Sequence, residues 1–240
     1  MNKEILLRDQ TTSKNILWAN AEHGAKEIQP ADVEKIKPRW QKLREHQKQR
    51  TRDRAEIFTP PDICQIQNDL IDAEKKSWTD YVDAKILEIT CGEAPYLVSR
   101  YNAVTGEPIP LDKRGGILDR KLRVVTNETS TPNDWTEYAV RAVQSVYGYE
   151  FQGDNLFLAR KNVFETFKDY YRQRFSKESP AELLVEVAKI ISWNLFQMDG
   201  LTGSPPFEES ANLFGGANCK IKDWRTGEVV EFITLARGGR

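Results

Sequence analysis

Apolar residues return at helical spacing through several long stretches of the chain and at strand length in the shorter runs between them. The longest helical stripe runs from Asp154 to about Phe175 and carries Leu156, Ala159, Val163, Phe167 and Tyr170. Another opens at Ser179-Pro180-Ala181-Glu182, the form of a capping box with proline at the first helical position, and continues through Leu183, Leu184, Val187, Ile190 and Ile191. A third starts near Asn133 and runs through Tyr138, Val140, Ala142 and Val143, and a fourth follows Pro60-Pro61 with Ile63, Ile66, Leu70 and Ile71. Strand-length runs lie at Ile86–Thr90, Ser145–Glu150 and, briefly, Lys121–Val125, and a short apolar run precedes Asp199. The segment from Cys219 to Phe232 predicts a hairpin turning at Gly227. Nearer the start, Asn15–Ala19 predicts a short helix packing by Ile16, Leu17 and Trp18. From Asp32 a helical pattern passes Val33 and Ile36, breaks at Pro38, and resumes through Trp40 and Leu43 to about Arg54.

Strands alternating with helices predict an α/β sheet with helices on both faces. Within it, Ile86 to Leu97 is an apolar run that stops at Gly92 and restarts as an apolar-periodic segment, which predicts a strand, a tight turn and the start of a helix. Such a turn, at the carboxyl end of a strand, leaves N–H groups free and has no Cβ at its glycine to hold a ligand away, so nucleotide-like cofactors bind there. The same residues also suit an ordinary βα turn.

At 240 residues and 27.6 kDa, with 39% hydrophobic and 30% charged residues, the chain is long enough for one α/β domain with a helical extension. The expected division is a basic helical extension over residues 1–54 and a cofactor-binding domain over 55–240, with an insertion at about 98–144. No apolar run approaches the ~20 residues that cross a bilayer, and the amino terminus does not have the form of a signal peptide, so a cytoplasmic protein with no membrane partner is expected. Three scattered cysteines and two histidines speak against a zinc site or a disulfide framework, and no metal is expected. The net charge of −1 conceals a basic run: from Lys35 to Arg54 nine Lys/Arg stand against Glu45 and Asp53, a local charge of +7. This run reads either as a solvated face or as a phosphate-contacting arm, with Arg44, Lys48, Arg50 and Arg52 as its DNA contacts.

Glu88-Ile-Thr90-Cys91-Gly92-Glu93-Ala94-Pro-Tyr96-Leu97 resembles motif I of the adenine-specific DNA methyltransferases, an acid followed by x-x-Cys-Gly-x-Gly-x-Phe-Leu. The second glycine is Ala94 here, where a Cβ meets the ligand side and a positive φ is strained. Upstream, Phe58-Thr59-Pro60 before a helix is similar to motif X. Downstream, Tyr147-Gly148-Tyr149-Glu150 followed by Ala159 and Asn162 matches motif II, in which the acid accepts ribose hydroxyls, and Asp199 stands where motif III does. Ser204-Pro205-Pro206-Phe207 has the form of the catalytic motif IV, but it follows Asp199 by a few polar residues with no strand between, and it reads as a decoy loop rather than the catalytic one.

The resemblance spans roughly Arg52 to Asp199. It implies S-adenosylmethionine as cofactor, held by Phe58, Thr59, Pro60, Glu88, Thr90, Cys91, Gly92, Glu93, Tyr96, Glu150 and Asp199. It also implies methyl transfer to adenine in DNA, as in the modification (M) subunits of restriction–modification systems. The 41 residues after Asp199 are few for the rest of the sheet and a target-recognition domain. The expectation is therefore a second subunit carrying an Asn-Pro-Pro-Tyr motif and target recognition. The alternatives are a non-catalytic DNA-binding or assembly subunit with the same fold, and a methyltransferase acting on RNA or protein.

Overall fold

The computed structural model describes residues 2–42, 51–52, 59–71, 77–207 and 217–236. Its centre is a parallel sheet of three short strands, β1 (Ile86–Glu88), β2 (Val146–Glu150) and β3 (Leu195–Gln197), in the order β1-β2-β3. Ile86 pairs with Val146 and Glu88 with Gly148; Gly148 pairs in turn with Leu195 and Glu150 with Gln197. Parallel neighbours need a crossover, and helices supply both. Between β1 and β2 run α4 (Ile117–Glu128) and α5 (Pro132–Gln144); between β2 and β3 run α6 (Gly153–Phe175) and α7 (Ala181–Asn194). Before the sheet come α1 (Lys3–Leu7), α2 (Pro61–Ile71) and α3 (Trp78–Asp83). After it come the antiparallel pair β4 (Lys220–Lys222) and β5 (Val229–Glu231), joined through Gly227 at φ +76°, and α8 (Phe232–Ala236).

The alternation of strand side chains divides the core in two. Val146 and Leu195 face one way, into a cluster with Leu118, Leu122, Trp135, Phe164, Phe167 and Ile191 from the crossover helices. Tyr147, Tyr149, Phe196 and Met198 face the other way and pack with Cys219, Ile221, Val230 and Phe232. The expected helices on this second face are thus replaced, among the described residues, by the β4–β5 hairpin. An α/β fold with a helix-flanked parallel sheet is present; its two layers differ.

Several local expectations change. Lys121–Val125 is not a strand but part of α4, because Leu118, Leu122 and Val125 make one buried helical stripe. Ser179 caps nothing: its hydroxyl has no partner and α7 begins after Pro180 without a side-chain cap. Thr131, by contrast, caps α5 by accepting the Asp134 N–H.

The first 42 residues are largely irregular rather than helical. Asn15–Ala19 forms no helix; Ile16 and Trp18 are buried in alternation, and Leu17 exchanges two bonds with the Gln197 amide, its N–H donating at 2.7 Å and its carbonyl accepting at 2.8 Å. The helical pattern from Asp32 gives 3-10 turns at Val33–Lys35 and Arg39–Gln41; Thr51 and Arg52 are helical, and residues 43–50 and 53–54 lie outside those described. This segment is fastened to the body by Arg160, a fully buried guanidinium that donates to the Leu6, Arg8, Ser192 and Leu195 carbonyls at 2.7–3.1 Å. Leu6, Leu7, Ile16 and Ile28 share the helical core.

Candidate cofactor site

The carboxyl ends of β1 and β2 meet at one loop. Past Glu88 the chain takes left-handed backbone at Thr90 (φ +52°), Gly92 (φ +54°) and Ala94 (φ +63°). Only glycine adopts this without cost, so Thr90 and Ala94 are both strained, Ala94 at the place where a positive φ is expected to be costly. The expected helix start does not follow: residues 93–100 are turns and irregular chain, a 3-10 turn comes at Leu111–Lys113, and the next α-helix waits until Ile117. The first amides of α4 are taken by the loop itself, Ile117 N–H by the Tyr96 carbonyl and Leu118 N–H by that of Leu97. The free N–H groups of a helix start at Gly92 are therefore missing.

Two buried carboxylates hold the loop instead. Glu88 accepts the Tyr96 and Leu97 amides, each at 3.3 Å. Burial pushes its carboxyl up to about 8, against the lowering from those two N–H groups. Glu150, at the end of β2, accepts the Gly92 N–H on one oxygen and the Gln152 N–H on the other, both at 2.9 Å. Gly92 and Glu150, the expected motif glycine and acid, are thus bonded to each other. Cys91 lies buried between them, its amide donating to the Tyr149 carbonyl and its thiol pushed well up by burial.

Glu93 turns inward. Its carboxylate accepts the Arg39 N–H at 2.7 Å and the Tyr101 hydroxyl, while Asn162 donates to its carbonyl at 3.0 Å. The hollow bounded by Glu93, Val98, Tyr101 and Asn162 measures about 10 Å³, room for no more than a water molecule. A ligand would have to approach from the Thr90, Gly92 and Glu150 side, where Thr90 is exposed.

Comparison of the chain with protein-family models, with curated proteins and with solved structures gives no match.

The remaining expected residues divide into those near this loop and those apart from it. Thr59 lies beside Tyr96, whose hydroxyl is 3.4 Å from the Thr59 hydroxyl, and the Pro60 carbonyl accepts the Cys64 N–H at the start of α2. Phe58, Arg44, Lys48 and Arg50 lie outside the described residues; Arg52 is exposed. Asp199 spends its side chain on a turn, accepting the Leu201 N–H at 2.9 Å. Ser204 is buried, its hydroxyl 2.7 Å from that of Thr202 and its carbonyl accepting the Asp199 N–H. Pro205 and Pro206 are buried behind it. Phe207, at φ +65°, sets its ring edge-on against Phe151, the residue after Glu150. No strand stands between Gln197 and Ser204.

Sequence reasoning passed over Lys42 and Asp154. They form a shielded ion pair of 3.1 Å that pins the amino-terminal segment over the first turn of α6, next to Glu150 and Gln152. Nothing in the spacing, 112 residues apart, announces it. Among the described residues no group of His, Cys, Asp or Glu has the arrangement of a metal site, and no helix is long and apolar enough to cross a membrane.

Proposed function

We propose that this chain binds S-adenosylmethionine across the Gly92 loop and Glu150, as the cofactor-binding part of a DNA adenine methyltransferase of the modification-subunit kind. A second polypeptide would supply the catalytic Asn-Pro-Pro-Tyr loop and target recognition, and the cytoplasm would be its compartment. The observation that carries the reading is the meeting of Gly92 and Glu150, with Thr59 and Tyr96 at the same loop. The charge at this edge suits the cofactor: Glu150 ends β2 and Asp154 lies in the next turn, paired with Lys42. A rim of carboxylates attracts a sulfonium and an ammonium and repels a pyrophosphate. Glu150 would hold the ribose hydroxyls, as the acid of motif II does in the family it resembles. The bound cofactor supplies an activated methyl group. Arg52 and the basic run before it would lie along DNA phosphates.

The test is a calorimetric titration of S-adenosylmethionine into the wild-type chain and into Glu150→Gln, which keeps an acceptor for one of the two amides. Losing the charge-assisted bond is expected to weaken binding by about 1.5 to 3 kcal/mol. Equal affinity would remove Glu150 from the site.

The second reading, a non-catalytic assembly subunit, is favoured by a particular observation. The Glu93 and Glu150 carboxylates already accept protein donors, and the strained Ala94 is buried where the motif has glycine. Absence of cofactor binding by a folded wild-type chain would select it.

A further inference from the structure

Two cavities away from the Gly92 loop are lined by several charges each, and they differ in how those charges are met. One, of about 490 Å³, is bounded by Asp83, Lys85, Arg141, Asp223 and Arg225. All five are in ion pairs, Arg141 and Arg225 with Asp83, and Lys85 with Asp223 at 2.6 Å. The other is a groove of about 740 Å³ between α1, α7 and β4. Its wall carries Glu4, Glu182 and Glu186 against Arg8, Lys189 and Lys222, and none of these six is in an ion pair among the described residues. Lys222 rests instead over the Trp224 ring, 4.5 Å from its centre.

The fold holds the two signs apart. Glu182, Glu186, Lys189 and Trp193 follow one another at steps of three and four, so α7 presents them as one row about 16 Å long, acidic at its start. Arg160 bonds the Leu6 and Arg8 carbonyls together with those of Ser192 and Leu195, and Gln10 donates to the Ser192 hydroxyl at 2.8 Å. Arg8 is thereby set at the carboxyl end of α7. Trp224 donates its indole N–H to Asn194 at 2.7 Å, and the Lys220 N–H donates to the Thr11 hydroxyl at 3.0 Å, which brings β4 to the same end. The groove is therefore acidic at Glu182 and Glu186, and basic and aromatic at Arg8, Lys222, Trp193 and Trp224. Ile5 and Val185 lie half-buried along it.

We propose that this groove binds an extended peptide segment of a partner protein. Basic side chains of the segment lie along Glu182 and Glu186, an apolar one packs on Ile5 and Val185, and acidic ones meet Arg8, Lys189 and Lys222 beside the two indoles. The length selects a peptide, since about 16 Å is about five residues of extended chain, whereas a free amino acid carries both charges on one carbon and reaches one end only. The three carboxylates select against nucleic acid, whose phosphates they would repel. A second copy of this chain set groove to groove could match the charges, but it would leave both hollows empty. Because the walls are already fastened by the bonds above, little ordering cost falls on the groove when the segment arrives.

NMR of the full chain tests this through the indole N–H signals of Trp193 and Trp224. The probes are three capped heptapeptides: Arg-Lys-Ala-Leu-Ala-Glu-Asp, Arg-Lys-Ala-Leu-Ala-Lys-Arg and Asp-Glu-Ala-Leu-Ala-Glu-Asp. The mixed-charge probe, at millimolar concentration, should shift both signals and saturate, and each single-sign probe should bind about tenfold or more weakly, because one of its ends meets like charge. In Lys189→Glu with Lys222→Glu the order should invert, the all-basic probe binding about tenfold tighter than the mixed one. A variant that binds the basic probe is folded, so loss of structure cannot imitate that result. Three results would overturn the proposal. Mixed and single-sign probes binding within about threefold of each other would leave the charges without a role in recognition. No shift from any probe would mean that the groove takes no free segment. Shifts that appear with rising chain concentration alone would give the groove to a second copy.

Discussion

The site turns on where a few buried protons and charges rest. Glu88 is the clearest case, since burial holds its carboxyl at about 8 while an unfolded glutamate loses its proton near 4.5. The folded state thus keeps a proton that the unfolded chain gives up. The resulting stability is complete below 4.5 and is lost as pH rises through 8. Asp119, fully buried in α4 and held up to about 6 by the same cause, acts in the same direction over a lower window. The free energy of urea unfolding should therefore fall by on the order of a few kcal/mol between about pH 5 and 8. Glu88→Gln, neutral at every pH, should flatten that slope above about pH 6 and leave the Asp119 share below it. At low pH the variant should be about 1 to 3 kcal/mol weaker than wild type, because one end of the new amide presents N–H to the N–H of Tyr96 or Leu97. A slope above pH 6 as steep as wild type would assign the proton to another group.

At the level of elements, α2 carries the most unusual balance. Cys64 and Asn68 are its buried residues, and Asn68 donates to the Tyr96 and Gly115 carbonyls at 3.0 and 3.1 Å. Its apolar stripe of Ile63, Ile66 and Leu70 points to solvent. The helix is held by its polar side, so Ile66→Glu with Leu70→Glu should change the unfolding free energy by no more than about 0.5 kcal/mol. A loss above about 2 kcal/mol in the same urea titration would mean that the stripe is buried in solution. The sequence predicts α2 from this stripe and places it correctly, but periodicity reports which residues share a face and not whether the face finds a partner. Elements whose stripe meets the main core, α5 and α6 above all, are legible to within a residue or two of their bounds. Asn15–Ala19 and Lys121–Val125 are not, because four- and five-residue apolar runs fit either period and their tertiary neighbours decide. The meeting of Gly92 with Glu150, and of Thr59 with Tyr96, is foreshadowed by motif order. The inward turn of Glu93 is not, since it depends on Arg39 and Tyr101 arriving from elsewhere in the chain.

For the molecule as a whole, the question is whether one chain can both hold a cofactor and present a catalytic loop. Ser204-Pro205-Pro206-Phe207 lies near Glu150, through the contact of Phe207 with Phe151, but its acceptors are already engaged. The Ser204 hydroxyl is bonded to Thr202, its carbonyl to the Asp199 amide, and its side chain is buried. A loop that takes a flipped-out adenine must offer a side-chain acceptor and a backbone carbonyl to the exocyclic amine, and must be held at the end of a strand to keep them in place. Here the strand before it, β3, ends at Gln197, and the turn at Asp199 to Gly203 intervenes. The chain alone should therefore transfer no labelled methyl from S-adenosylmethionine to mixed-sequence duplex DNA above the level of a no-enzyme control, even where calorimetry shows cofactor bound. Addition of a partner carrying an Asn-Pro-Pro-Tyr loop should start transfer, and Ser204→Ala with Phe207→Ala should leave that rate unchanged. Robust transfer by the wild-type chain by itself would sink the two-chain reading. Loss of that transfer in the double variant would make Ser204 and Phe207 the loop that holds the base.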